Sequence, residues 1–194
     1  MRAMKTILGV MVLTAMVAAC KQDPPTARTQ PQADPQATAA NLPITTVPLA
    51  NDDKTFITKA SQDGMVEVQL GQVASQKATS PDLKAFGTQM AVDHGRANTE
   101  LGQIAAKKGY NVPTTLDHDH QATVDKVAKL NGSDFDKTYA SDMVDDHESD
   151  LKEFKNAAKD LKDPDLRAWA AQKVSVLDGH LTMAKDVKAK AKKE

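Results

Sequence analysis

The sequence predicts an all-α fold, a bundle of four long helices with one short extra helix. From about residue 52 onward, apolar residues recur at alternating steps of three and four, which is the spacing of amphipathic helices. Aromatic residues make up only 4% of the chain, and β-branched residues do not alternate as they do in strands. Turn and capping residues divide this part into four segments of about 25 residues and a shorter one.

The first two helices are marked by capping residues at their starts. Residues 51–53 (Asn-Asp-Asp) offer caps for a helix that runs to about residue 78. Residues 80–82 (Ser-Pro-Asp) place a cap, a first-turn proline and an acid in order, as at many helix starts. They predict a second helix that ends at Gly109, because glycine commonly follows a helix C-terminus.

The remaining three helices follow from the same kind of signal. A shorter segment runs from about residue 116 to residue 130 and stops at an Asn-Gly pair. Residues 133–136 (Ser-Asp-Phe-Asp) resemble a capping box with Asp in the third place, and predict a helix to about residue 161. Residues 163–165 (Asp-Pro-Asp) open the last helix, which runs into a lysine-rich tail.

The connection from residue 109 to residue 132 decides how the four long helices are arranged. The other connections are short turns, whereas this one is long enough to carry the chain back along the bundle. A ferritin-like four-helix bundle has one such crossover between its second and third long helices. A plain up-down bundle with an excursion at this point is the alternative.

Each long helix carries one potential metal ligand near the middle of its apolar stripe. These four residues are Glu67, His94, His147 and His180. Each lies about 12 to 17 residues from its helix start, so at about 1.5 Å rise per residue all four reach one level of the bundle. We predict that they bind a single transition-metal ion, Zn, Cu or Fe. The alternative is a buried hydrogen-bond network without metal.

Two of the histidine segments resemble each other. In each, a methionine lies four residues before the histidine and an aspartate lies one residue before it. These are Met90 and Asp93 in the first segment, and Met143 and Asp146 in the second. The two aspartates are predicted to orient an imidazole by accepting a hydrogen bond from the ring nitrogen that does not bind the metal. The alternative is that they face solvent on the flank of the helix. The two methionines offer thioether sulfurs suited to Cu(I), although core packing is the simpler interpretation.

The densest group of metal-ligand residue types is residues 117–120 (Asp-His-Asp-His). It precedes or opens the short crossover helix, where an aspartate is a common N-cap. We interpret the group as an exposed helix cap, able at most to capture metal adventitiously.

Several ordered motifs together resemble one bacterial exported family. They are residues 64–71 (Gly-Met-Val-Glu-Val-Gln-Leu-Gly), 90–94 (Met-Ala-Val-Asp-His), 132–136 (Gly-Ser-Asp-Phe-Asp), 143–147 (Met-Val-Asp-Asp-His), 163–166 (Asp-Pro-Asp-Leu) and 180–181 (His-Leu). In this order they resemble the family called domain of unknown function 4142, over about residues 53 to 188. The resemblance implies a ferritin-like bundle and export, with members often labelled outer-membrane proteins. It implies no established activity.

The di-iron chemistry known from ferritin-like proteins does not match this chain. Those sites use Glu-x-x-His on two helices and a Glu on each of the other two. Here the residues three before the histidines are Ala91, Val144 and Leu177, so an oxidative di-iron enzyme is disfavoured. Four protein ligands on one ion favour storage, sensing or structure over catalysis. A non-enzymatic structural or interaction protein is the second hypothesis.

The N-terminus has the pattern of a bacterial lipoprotein signal. Arg2 and Lys5 precede an apolar stretch over residues 7–19, too short for a stable membrane span. Residues 17–20 (Val-Ala-Ala-Cys) look like a lipobox, after which Cys20, the only cysteine, becomes the lipidated N-terminus. The alternative is an ordinary cleavable signal with an incidental cysteine.

Three parts are therefore predicted: a signal peptide over residues 1–19, a disordered Pro-, Gln- and Ala-rich tether over residues 20–51, and the helical domain over residues 52–194. Loss of the leader changes the formal net charge from −1 to about −3, which gives no indication of nucleic-acid binding. The membrane, through the lipid on Cys20, is the one partner predicted. Lys21 after that cysteine favours the outer membrane over retention at the inner membrane, with the domain facing the periplasm.

Overall fold

The computed structural model describes residues 48–192, and in that range the backbone forms five helices and no strand. The helices are α1 (Asn51–Lys77), α2 (Pro81–Lys107), α3 (His118–Ala128), α4 (Gly132–Asp160) and α5 (Pro164–Ala191). The prediction of an all-α fold is confirmed. The predicted signal peptide, Cys20 and the tether as far as residue 47 lie outside the described residues. None of the described helices combines the length and apolarity needed to cross a membrane.

Local capping explains why α2 and α5 begin where they do. Ser80 accepts a hydrogen bond from the backbone N–H of Leu83, and Asp163 accepts from the N–H groups of Asp165 and Leu166. A proline follows each cap in the first turn, where its missing N–H costs nothing. The end of α2 is fixed by Gly109, whose φ of +72° is one that glycine adopts without strain.

The predicted capping box at the start of α4 is wrong. The helix begins one residue earlier, at Gly132, and its N-cap Asn131 makes no side-chain cap hydrogen bond. Asp136 instead points to the turn between α1 and α2, where it accepts hydrogen bonds from the backbone N–H and the hydroxyl of Thr79. A buried carboxylate of this kind satisfies groups that would otherwise lack partners, so tertiary contact has replaced local capping.

Asp53 makes the corresponding contact at the other end of the bundle. Its carboxylate is 1% exposed and accepts a 2.8 Å hydrogen bond from the N–H of Lys162, in the turn between α4 and α5. The end of α4 thus lies beside the start of α1, and the start of α4 lies beside the end of α1. The chain between α2 and α4 therefore runs the length of the bundle, and α3 within it packs against α1 and α4.

The core has two aromatic clusters with a polar layer between them. The first cluster consists of Phe56, Phe154 and Trp169. The second consists of Phe86, Phe135 and Tyr139. The four predicted ligand residues lie between these clusters, at least about two helical turns from either one along the chain. The layer thus has aromatic side chains on both sides along the bundle axis.

The folded domain begins slightly before the predicted boundary. Leu49 is only 7% exposed and belongs to the hydrophobic core, although the sequence predicts it as part of the tether. Its burial fixes the chain directly before Ala50, which is the N-cap of α1.

Candidate metal centre

The four predicted ligand residues come together in the middle of the bundle, one from each long helix. Glu67, His94, His147 and His180 are all at most 7% exposed. The three imidazole rings form a compact triangle, with ring centroids 5.2 to 5.4 Å apart. We call these three rings the histidine triad.

One nitrogen of each ring faces a protein acceptor. His94 Nδ1 lies 2.5 Å from Glu67 Oε2. His147 Nδ1 donates to the backbone carbonyl of Met143 at 2.8 Å and lies 3.4 Å from Glu67 Oε1. His180 Nε2 donates to the carboxylate of Asp93 at 3.0 Å. Partners of this kind fix which ring nitrogen carries the proton and leave the other as a lone-pair donor.

The other nitrogen of each ring is buried and has no hydrogen-bond partner. Among the described residues, these unpartnered atoms are Nε2 of His94, Nε2 of His147 and Nδ1 of His180. One ring nitrogen of each histidine lies within 4.8 Å of one from each of the other two. Unpaired buried polar atoms are costly, so three such rings packed together are suited to holding a ligand.

Burial and the Glu67 carboxylate set the charge of the three rings. Burial lowers the pKa of His147, and burial with repulsion from His94 lowers the pKa of His180 to about 4. Burial also acts to lower the pKa of His94, but the attraction of the Glu67 carboxylate outweighs it and raises that pKa above 6.5. His147 and His180 are therefore neutral at pH 7, and a neutral imidazole is the form that binds a metal.

The structure assigns different surroundings to the two predicted orienting aspartates. Asp93 does contact an imidazole, but it is that of His180 on another helix and not that of its neighbour His94. In the part of the chain that the structure describes, no hydrogen bond or ion pair joins Asp146 to a histidine; it lines a second cavity with residues of α1, α3 and α4, and burial raises its pKa to about 7. The prediction for Asp146 is therefore wrong, because the rotation of α4 turns this residue toward α1.

The two predicted methionines lie in the core. Met90 and Met143 are both fully buried, as the simpler interpretation expected. Met143 has a further role that its side chain does not reveal, because its backbone carbonyl holds the ring of His147.

Two features near the triad are not evident from the sequence pattern. The first is Asp150, which is one helical turn after His147 and only 7% exposed; its position on the same face of α4 was the available signal. The second is a cavity of about 270 Å³ that reaches His94 and His180 from the side of the bundle. Its walls include Phe154, Trp169 and Leu177, and it offers a lateral route toward the triad.

The exposed Asp-His-Asp-His group is a helix cap, as interpreted. Asp117 is the N-cap of α3 and accepts hydrogen bonds from the backbone N–H groups of Asp119 and His120. The side chain of His118 is 95% exposed. His120 alone reaches another helix, with its Nε2 atom 3.3 Å from Asp63 of α1.

The model of one protein family matches most of this chain. The family is described as "Domain of unknown function (DUF4142)", and the match covers residues 25–187. Among curated proteins, none matches the chain in sequence.

Solved structures of low sequence identity share the fold. A crystal structure of a DUF305 fragment from Deinococcus radiodurans has a TM-score of 0.65 at 12% identity, covering 74% of this chain and 99% of that chain. CopM in the Cu(II)-bound form has a TM-score of 0.60 at 18% identity, covering 71% and 96%. CopM in the Cu(I)-bound form has a TM-score of 0.58 at 18% identity, covering 69% and 93%. At these identities the likeness concerns the fold alone.

Proposed function

This chain belongs to the family described as domain of unknown function 4142, and from the geometry of the histidine triad we propose that it binds a single transition-metal ion. The ligands in this proposal are the free ring nitrogens of His94, His147 and His180. The observation that carries it is that three buried rings from three helices each have an unpaired nitrogen, with one nitrogen of each within 4.8 Å of one from each of the others, while the opposite nitrogen of each ring faces an acceptor. This is the usual arrangement of histidines around a metal.

Glu67 has a role in this proposal that differs from the predicted fourth ligand. Its carboxylate lies against the Nδ1 atoms of His94 and His147, so it stabilises the protonation of these atoms and leaves Nε2 free. It also brings a negative charge next to the ion. Both effects strengthen cation binding, and loss of such a partner typically weakens metal affinity by about 10- to 100-fold.

We place copper first among Zn, Cu and Fe. Imidazole nitrogens suit all three metals, so the donor set does not choose between them. The support for copper is the shared fold with CopM, which has been solved with Cu(I) and with Cu(II). The Glu-x-x-His pairs of a ferritin-type di-iron site are not formed by these histidines, because the residues three before them are Ala91, Val144 and Leu177. We therefore propose storage, sensing or transfer of the ion, with no enzymatic step.

We propose a ferritin-like order for the four long helices. The support is that Asp53 and Asp136 join opposite ends of α1 and α4, which makes these helices antiparallel. Lys190 near the end of α5 contacts Asp82 at the start of α2, which makes α2 and α5 antiparallel as well. The chain then needs one lengthwise crossover, and the segment carrying α3 provides it.

We also propose that the protein is a lipoprotein of the cell envelope, anchored by Cys20 in the outer membrane and facing the periplasm. The support comes from the N-terminal sequence alone. Mass spectrometry of the N-terminal peptide tests it, because a lipoprotein loses residues 1–19 and gains acyl chains on Cys20. A processed chain without acyl mass, unchanged by Cys20→Ser, would contradict the anchor.

One experiment separates metal binding from the network without metal. The full chain is purified without a polyhistidine tag, and bound Cu, Zn and Fe are measured by mass spectrometry before and after loading with each metal. About one ion per chain is expected, with loss in His94→Ala, His147→Ala and His180→Ala. His118→Ala is the matched control, because that histidine is exposed and should keep the metal. A folded wild type that refuses all three metals would establish the hydrogen-bond network instead.

A further inference from the structure

A second group of ligand atoms lies between α1 and α4, apart from the histidine triad. Carboxylate oxygens of Asp63, Asp150 and Glu153 all lie within 4.8 Å of one another. Asp63 and Asp150 border a cavity of about 210 Å³, whose other walls include Glu67, Asp146 and His120. We call this cavity the acidic cavity.

Asp150 is the residue of the acidic cavity that lacks a partner. It is only 7% exposed, and among the described residues no hydrogen bond acts on its carboxyl group, only burial and the charges around it. Burial, followed by the negative charges of Glu67 and Asp63, raises the pKa of Asp150 to about 9. A buried carboxyl group without a donor or a cation is costly, and this one opens onto the cavity.

The positive charge at the cavity does not balance the negative charge. The ammonium of Lys59 lies 2.6 Å from Asp63 Oδ2 and 2.6 Å from Glu153 Oε2, but its side chain is 48% exposed at the rim. It therefore pairs with the two outer carboxylates and leaves Asp150 without a counter-ion. Because Asp150 holds its proton, the ammonium of Lys59 faces two charged carboxylates in this group, which leaves a net negative charge.

His120 lies at the same place, and both of its ring nitrogens face carboxylates. Its Nδ1 atom contacts Asp117 at 2.7 Å, and its Nε2 atom lies 3.3 Å from Asp63 Oδ1. Burial acts to lower the pKa of His120, but these two carboxylates outweigh it and raise that pKa, so the ring is not counted among the ligands. Oxygen ligands suit hard divalent cations such as Mn²⁺ better than they suit copper.

We propose that the acidic cavity binds a divalent cation that prefers oxygen ligands, through the carboxylates of Asp63, Asp150 and Glu153. Lys59 competes for two of these ligands, and its exposed position lets it swing out when the cation enters. This site is additional to the histidine triad and uses none of the three triad histidines. Glu67, which contacts two of these histidines, also lines the acidic cavity, so the charge at one site is felt at the other.

Mn²⁺ is the probe for the test, because the paramagnetic resonance signal of the free ion disappears on binding. The full chain is titrated with Mn²⁺, and about one ion per chain is expected to bind. Asp150→Asn should weaken binding about tenfold or more, since it removes one ligand charge. Asp145→Asn is the matched control on the same helix, because that side chain is 71% exposed and should bind Mn²⁺ as the wild type does.

Lys59→Gln gives a result that misfolding cannot imitate. Removal of the competing ammonium should tighten Mn²⁺ binding by about fivefold. The proposal is overturned by a folded wild type that leaves the free signal intact, or by equal affinities in wild type and Asp150→Asn.

Discussion

Replacement of Asp150 by asparagine is expected to remove much of the pH dependence of stability above pH 6. In the folded protein, burial and the charges of Glu67 and Asp63 raise the pKa of this carboxyl to about 9. In an unfolded chain an aspartate titrates near pH 3.9. Between these values the folded state holds one more proton than the unfolded state. The free energy of unfolding therefore falls as the pH rises.

The magnitude follows from the slope for one proton. Each pH unit changes the free energy of unfolding by about 1.4 kcal/mol when the two states differ by one proton. From pH 6 to pH 8, Asp150 should thus remove about 2.7 kcal/mol of wild-type stability. Asp150→Asn lacks the group and should lose correspondingly less over the same interval. Urea unfolding followed by circular dichroism measures this, with EDTA present to keep cations from the acidic cavity.

Asp145→Asn serves as the control for a general charge effect, because this aspartate is exposed on the same helix. It should keep the wild-type dependence on pH. Equal pH dependence in the wild type and in Asp150→Asn would refute the buried, protonated carboxyl at this position.

Other regions of the bundle allow equally direct tests. Gly71→Ala should cost about 1–3 kcal/mol in urea unfolding, because its Cβ would lie 2.6 Å from a backbone oxygen of α2. Gly179→Ala should instead stabilise the chain by about 0.5–1 kcal/mol, because nothing lies within 4 Å of its Cβ; a loss would contradict this. Asp136→Ala should cost about 1–3 kcal/mol by leaving the N–H of Thr79 unpaired, and no change would show that water replaces it. Metal affinity at the triad, measured by chelator competition, should fall from pH 8 to pH 6 because His94, with its raised pKa, takes up a proton first. An affinity independent of pH would exclude His94 as a ligand.

The helix bounds and the central layer were accessible from the sequence because both depend on local chemistry. A cap followed by proline at residues 80–81 and 163–164 marks two helix starts without reference to the rest of the fold. Likewise, a polar residue in mid-helix on an apolar stripe must lie in the core, whichever way the helix runs. This sufficed to bring Glu67 and the histidines to one level.

The contacts between helices were not accessible in the same way. Asp93 holds His180 and not its neighbour His94, because the rotation of α2 against α5 decides which ring it reaches. Asp136 has the spacing of a local cap, yet its carboxylate satisfies a turn 57 positions earlier in the chain. Asp150 is a polar residue at the margin of an apolar stripe, where the sequence alone does not distinguish a buried position from an exposed one.

The crossed contacts of Asp53 and Asp136 have a consequence for assembly. Asp53 of the α1–α2 pair accepts a hydrogen bond from the turn between α4 and α5. Asp136 of the α4–α5 pair accepts one from the turn between α1 and α2. Two of the predicted ligand residues lie on each pair. Neither half can complete its own turn or assemble the histidine triad alone, so we expect the whole domain to fold as one cooperative unit. Two fragments cut between α2 and α3 should therefore reassemble only with each other, and a metal ion at the triad would join them.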